Sequence, residues 1–350
     1  MAVDQKDSSK FHHYFPQFIL RKFSSRSRKR QHYIKVFDKS TGRSFESNVN
    51  QICGETHFNR VKLQVGEVCI EDTTQAIDSI GSSVLEKIIS ERGLHSISPE
   101  ERAKLAIFIA LQLTRGTGSR NMTADVINQM RSLFVRRFGE DNLPPELKFP
   151  AGEIDKKLFD LRHTVMSLND LALALSQKIL VLFHAPRGHN FILGDNPVTI
   201  ANSQPNDGFW GNLGVLCKGS EIYMPISPEI SLGLWCPTIY DEISASIKST
   251  KRNLSNAKAI KSLIAPERAV SIDEQIKILE RSLEFLEGIS SCIKTGSPIL
   301  MSSDNILHQN SLQVSHSERY LMSQAGDFSL VTDMLKASPR YVHGRRMLVN

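Results

Sequence analysis

Two adjacent imidazoles stand near the start of the chain, in Phe11-His12-His13-Tyr14-Phe15-Pro16-Gln17-Phe18. An unperturbed imidazole titrates near neutrality, at about pH 6.5, which suits it to general acid–base chemistry. Pro16 biases the residues before it toward extended backbone and is well suited to the first turn of a helix. The histidines are therefore expected on a fixed, extended lead-in to a short helix over residues 16–23. Neighbours on extended backbone point to opposite faces, so the pair cannot easily hold one metal. One ring is expected to face a cleft while the other packs or hydrogen-bonds inward. The alternative is that both, with Tyr14, lock the N-terminus structurally.

Four further groups could carry chemistry. Gln112 and Arg115 are three apart on an otherwise apolar helical stretch and so share a face. A buried guanidinium needs an anionic partner, either an internal carboxylate such as Asp195 or a substrate phosphate that it would clamp. Asp195-Asn196-Pro197 closes a strand and reads as an Asx-type turn or as a carboxylate presented beside a cleft, acting as base or metal ligand. Glu71 is favoured at a helix start by the dipole alone, and with His13 and Asp195 it completes a candidate ligand set for a divalent cation, Mg²⁺ or Mn²⁺. Cys53, His57 and Cys69 form a weaker, zinc-like spacing. A P-loop, a Gly-x-Ser-x-Gly elbow and a His-Glu-x-x-His pair are all missing, which disfavours P-loop nucleotide hydrolysis and zincin chemistry.

The elements that position these groups follow from period and punctuation. Residues 32–38 alternate as a strand, 39–42 turn, and 43–49 return; residues 53–63 look irregular. Ile77, Ile80, Val84 and Ile88 mark a helix face despite Gly81. Ser98-Pro99-Glu100-Glu101 has the form of a capping box and starts a nearly all-apolar helix that ends near Gly116. Further helices are read over 121–138 and, as one piece, 154–177. Strands are read at 178–184, 190–194, 222–225 and 230–235, and helices at 239–264 and 272–286. The fold class is α+β, mostly helical with a small central mixed or antiparallel β-sheet. Residues 11–290 are read as one domain: a helical half to about 177, a β-rich block 178–236 and helices 238–290. Residues 291–350 are read as a partly loose extension.

The 350 residues are enough to bury a sizeable core, and 40% hydrophobic with 23% charged residues is ordinary for a globular chain. No apolar run reaches the roughly 18 residues of a membrane span, and the N-terminus lacks the order of a secretory signal, so a cytoplasmic protein with no membrane partner is expected. The five cysteines are scattered, which points to reduced thiols. Nine Lys or Arg fall in the first 35 residues, an excess over acids larger than the whole-chain net charge of +6. Arg26, Arg28, Lys29 and Arg30 are its centre and are candidate nucleic-acid phosphate contacts; the plainer reading is a solvated basic loop. A homo-oligomer is not indicated.

Three stations together resemble the family catalogued as domain of unknown function 4238. They are His12-His13-Tyr14-Phe15-Pro16-Gln17-Phe18, the helix 108–115 carrying Gln112 and Arg115, and Phe191-Ile192-Leu193-Gly194-Asp195-Asn196-Pro197-Val198. Met224-Pro225-Ile226-Ser227-Pro228 is similar to the family's Pro-Leu-Ser-Pro strand exit, and the resemblance covers about residues 11–270. Gly194 stands where members usually have Ser, and Gly116 where they commonly have Thr. The resemblance implies a fold and a site but no activity.

The expected function is a phosphodiester hydrolase, nuclease-like, of the kind used as a toxin or phage-defence effector. In it His12 or His13 moves protons, Asp195 binds metal or acts as base, and Gln112 with Arg115 faces the transition state. The competing expectation is a non-catalytic ligand- or nucleic-acid-binding sensor module.

Overall fold

A computed structural model describes residues 10–148, 152–205, 212–263 and 270–346. Its first part is strand-rich: β1 (Phe11–His13), α1 (Gln17–Lys22), β2 (Arg26–Arg28), β3 (Gln31–Asp38), β4 (Arg43–Asn48), β5 (Gly54–Thr56), β6 (Arg60–Lys62) and β7 (Glu67–Cys69). Helices follow: α2 (Glu71–Glu91), α3 (Pro99–Arg115), α4 (Thr117–Phe138), α5 (Glu153–Met166) and α6 (Leu168–Ser176). Next come β8 (Ile179–His184), β9 (Leu193–Gly194), β10 (Thr199–Asn202), β11 (Ser220–Pro225) and β12 (Ile230–Trp235). The remainder is α7 (Pro237–Leu263), α8 (Val270–Thr295), β13 (Ile299–Leu300), α9 (Ser303–His316), β14 (Tyr320–Ser323) and α10 (Ser329–Ala337). The class is α+β. The strands divide between two five-stranded sheets, with two short strand pairs beside them, in place of one small central sheet.

One sheet has the order β10-β11-β12-β8-β13, antiparallel except for the β8–β13 edge. The other is built on β3. β2 pairs with residues 31–33 of β3 and β14 with residues 35–38, β4 pairs along residues 33–38, and β9 lies beyond β14.

α3 forms the centre of the core. Ser98 accepts from the Glu101 N–H and Glu101 reaches back to the Ser98 N–H, so the capping box fixes where the helix starts. Its nearly all-apolar middle then buries against α2, α6 and the first sheet, through Leu105, Phe108, Ile109 and Leu111. Gly81 lets α2 approach. A methyl group there would sit 2.2 Å from the Phe108 ring, so the glycine that interrupts the α2 pattern is the point of closest packing.

α7 and α8 run antiparallel as a two-helix arm. Ile272, Ile276, Leu279, Leu283 and Leu286 recur at alternating four- and three-residue steps, the seam of a coiled coil. Lys251–Glu287 and Lys258–Glu280, both at 2.7 Å, and Lys261–Asp273 close it from outside. Among the described residues no helix is long and apolar enough to cross a membrane.

Several expectations are corrected. The helix read as one piece over 154–177 breaks at Ser167 into α5 and α6. The irregular stretch 53–63 holds β5 and β6, and β9 joins the second sheet instead of the block 178–236. The largest difference is the segment read as a loose extension. β13 pairs with β8, β14 is an inner strand of the second sheet, and α9 packs under residues 190–197; residues 347–350 lie outside the described residues. α9 escaped detection because most of its buried face is amide: Gln309, Asn310 and Gln313 stand beside only Ile306 and Val314. Asn310 Oδ1 accepts from Ile192 N–H and Gln313 Oε1 from Gly194 N–H, both at 2.9 Å, while their amide groups donate to the Asn190 and Pro197 carbonyls. These side chains satisfy backbone groups in and around β9 that point away from its partner β14.

Candidate functional site

β1 and β5 pair antiparallel, with His12 opposite Glu55 and His13 opposite Gly54. Strand alternation sends His12 inward, fully buried, and His13 toward a cleft. Gly54 is needed for this, since a Cβ there would lie 2.5 Å from the Phe11 ring. The His12 Nδ1 accepts the Asn59 backbone N–H at 3.0 Å. That bond leaves the nitrogen unprotonated, so the 3.5 Å approach of Glu71 Oε2 to it is a close contact and not an ion pair. His12 is thus packed and hydrogen-bonded in the interior and lies outside the lining of the cleft.

His13 lines an open cleft of about 580 Å³ with Phe11, Gln17, Asn50, Gln51, Glu71 and Gln75. Gln17, four residues on at the start of α1, brings its amide nitrogen within 3.1 Å of the His13 ring nitrogens, and Arg21 Nη2 donates to Gln17 Oε1 at 3.0 Å. His13, Gln17 and Arg21 make a polar ridge running from the cleft to solvent. Burial pushes the His13 pKa below 6.5, while Glu71 and the backbone at Asn50 and Val49 pull it up and Arg115 lowers it. The ring is therefore neutral at pH 7 and able to accept a proton. Glu71 opens α2 and is held by Asn59 Nδ2 at 2.8 Å and Gln75 Nε2 at 3.0 Å.

Behind the cleft, Glu71, Gln75 and Asp78 share one face of α2. Arg115, only 1% exposed, donates from Nη1 to Asp78 Oδ2 at 2.9 Å and from Nη2 to Gln112 Oε1 at 3.0 Å. Gln112 Nε2 in turn reaches Asp78 Oδ1 at 3.5 Å. The internal partner of Arg115 is Asp78 and not Asp195. Burial raises the Asp78 pKa, against the pull of Arg115 and the Gln112 amide, and nearby Glu71 adds to the rise. Gln112 and Arg115 form a second row; neither is among the cleft-lining residues.

Asp195 is elsewhere. It is 2% exposed, and its two oxygens accept three successive backbone N–H groups, from Glu318 at 2.7 Å and from Arg319 and Tyr320 at 2.9 Å. Burial pushes its carboxyl up to about 6, against those three donors and Lys39. It makes no local Asx turn and presents no carboxylate to the cleft; it ties the end of β9 to the start of β14. His13, Glu71 and Asp195 therefore do not assemble as a ligand set. Among the described residues no cluster of three or more His, Cys, Asp or Glu could hold a metal, the Cys53, His57 and Cys69 set included.

Arg26, Arg28, Lys29 and Arg30 project on the β2–β3 hairpin, all exposed. Lys29 and Arg30 are its two loop residues, at φ +49° and +64°, a conformation that favours Asn-Gly. Arg26 lies over the Tyr33 ring and pairs with Glu46.

The remaining motif residue, Asn196, lines a different and more enclosed cavity of about 550 Å³ that Leu113 and Thr114 also reach. Of the residues missed in the sequence, Gln75 and Asp78 were findable at four- and seven-residue steps from Glu71, and Gln17 at four from His13. Asn59 lies in the stretch read as irregular and carried no signal.

A family model described as a protein of unknown function (DUF4238) matches residues 12–327. No curated protein and no solved structure matches the chain.

Proposed function

We propose, from the premise that this chain belongs to the DUF4238 family, whose description carries no activity, that it hydrolyses phosphodiesters in the cleft around His13. The observation that carries this reading is a half-buried imidazole, neutral at pH 7, in an open cleft ringed by hydrogen-bonding side chains. His13 would take the proton of the attacking oxygen, a step that typically contributes about 10²–10⁴-fold. Gln17, Asn50, Gln51 and Gln75 offer donors for the non-bridging phosphate oxygens and donor–acceptor pairs for base edges. Arg21, at the outer end of the ridge, and the β2–β3 hairpin supply positive charge that draws in a polyanion. Arg115 and Asp78 act as positioning residues by fixing the α2 face that carries Glu71 and Gln75.

The ring of four carboxamides also favours a second reading, a non-catalytic module that recognises a nucleotide or nucleic acid. Labelled RNA and DNA oligonucleotides, incubated with the full chain with and without Mg²⁺ or Mn²⁺, separate the two. Cleavage that drops at least about 100-fold in His13→Gln while binding persists supports the hydrolase. Binding without cleavage, weakened by Gln17→Ala and Gln75→Ala, supports the module. Neither cleavage nor binding contradicts both.

A further inference from the structure

The second cavity lies apart from the His13 cleft, between α3, α4, α5, α6, β10 and the C-terminal residues 344–346. Its volume of about 550 Å³ is in the range of small-molecule sites, about 300–1,000 Å³. Most of its wall is apolar, from Leu113, Met122, Leu171, Val198, Ile200 and Val215. Such a wall offers water few hydrogen bonds and favours an apolar guest.

Charge at the rim is one-sided. Arg346 is fixed, pairing with Asp125 at 2.7 Å and with Glu318 at 2.6 Å, and the Gly344 N–H also binds Glu318. Arg345, next to it, lines the cavity and makes no ion pair or hydrogen bond among the described residues. The protein around it and the like charge of Arg340 disfavour its protonated form, and among the described residues no carboxylate offsets them. Asp170, at the start of α6, is the one carboxylate among the described lining residues, and it is not within ion-pair distance of Arg345. Asn196 adds a carboxamide to the wall and donates to the His316 carbonyl at 3.3 Å. Gly118 makes room for it, since a Cβ there would lie 3.2 Å from Asn196 Nδ2. The cavity thus draws on two motif stations that the His13 cleft leaves unused.

We propose that this cavity binds an amphipathic anion, with its apolar body between α4, α6 and β10 and a single carboxylate or phosphate at Arg345. Sites of this kind hold an apolar body by area and orient it by one charge-assisted contact.

The test uses the full chain with 8-anilinonaphthalene-1-sulfonate as fluorescent probe. Dodecanoate, dodecyl phosphate, dodecanol and dodecyltrimethylammonium compete for it below their micelle concentrations. One saturable site is expected, with one or both anions displacing the probe at least tenfold better than the alcohol or the cation; their order distinguishes a carboxylate from a phosphate ligand. Arg345→Glu, at an exposed position, should weaken the preferred anion at least tenfold with an unchanged melting temperature. Met122→Trp should fill the cavity and remove binding. Dodecanol binding as tightly as both anions, or anion affinity unchanged in a folded Arg345→Glu, would overturn the proposal.

Discussion

Arg115 grips Asp78 across the α2–α3 contact, 2.9 Å from Nη1 to Oδ2, one helical turn beyond Gln75 and two beyond Glu71. This pair sets the rotation of α2 about its own axis, and so decides which of its polar residues the cleft receives. Arg115 is buried and Asp78 half-buried, and such a pair is costly to break from one side because the remaining charge is left largely uncompensated.

Arg115→Met is accordingly expected to destabilise the chain by about 3–5 kcal/mol, and Arg115→Met with Asp78→Leu by clearly less than the two single changes together. Urea midpoints of the four proteins in this cycle check it; additive losses would mean the two side chains act independently.

Asp195 is a staple between β9 and β14. Replacing it by Ala strips three amides of their acceptor, with an expected loss on the order of 3 kcal/mol. Ligand binding at His13 should be retained in the molecules that remain folded. A loss of binding with an unchanged melting temperature would instead place Asp195 in the site.

The pH dependence of stability carries two opposed contributions. His316, pushed down to about 4 by burial, binds fewer protons folded than unfolded. Its contribution is complete above pH 6.5 and is lost as pH falls toward 4. Asp195, raised to about 6, does the reverse: its contribution is complete below its unfolded value near 3.8 and is lost as pH rises through 6. Melting temperatures from pH 4 to 7 should therefore rise with pH less steeply in His316→Gln than in the wild type, and more steeply in Asp195→Asn.

The β2–β3 hairpin keeps Lys29 and Arg30 in a left-handed conformation that costs them about 1 kcal/mol or more each. Lys29→Asn with Arg30→Gly fits the turn better and should raise stability by about 1 kcal/mol. The same change removes two positive charges, so the dependence of log affinity for single-stranded RNA on log salt should flatten by about 1.4. Higher stability with an unchanged salt slope would show that the hairpin does not meet the phosphate backbone.

What the sequence made legible was local. The capping box at Ser98, the amphipathic faces of α2 and α3, and the strands β3, β8 and β12 follow from residue spacing alone. His12 and His13 separate to opposite faces because strand alternation demands it. What remained hidden depends on partners remote in the chain. The Asp195 carboxylate meets amides more than 120 residues away, and nothing near Asp195 records that they close on it. The face of α9 that packs on residues 190–197 is built from Asn310 and Gln313, so hydropathy reads it as surface. Arg115 advertised a need for an anion, but the choice between Asp78 and Asp195 depends on how α2 packs, which no spacing within α3 contains.

The most direct test is the acid limb of the phosphodiester cleavage rate against pH in the full chain. With His13 as the base, the rate should rise with pH through a midpoint below 6.5, because burial depresses that ring, and fall to background in His13→Gln. A profile that His13→Gln leaves at wild-type height and midpoint would contradict the account.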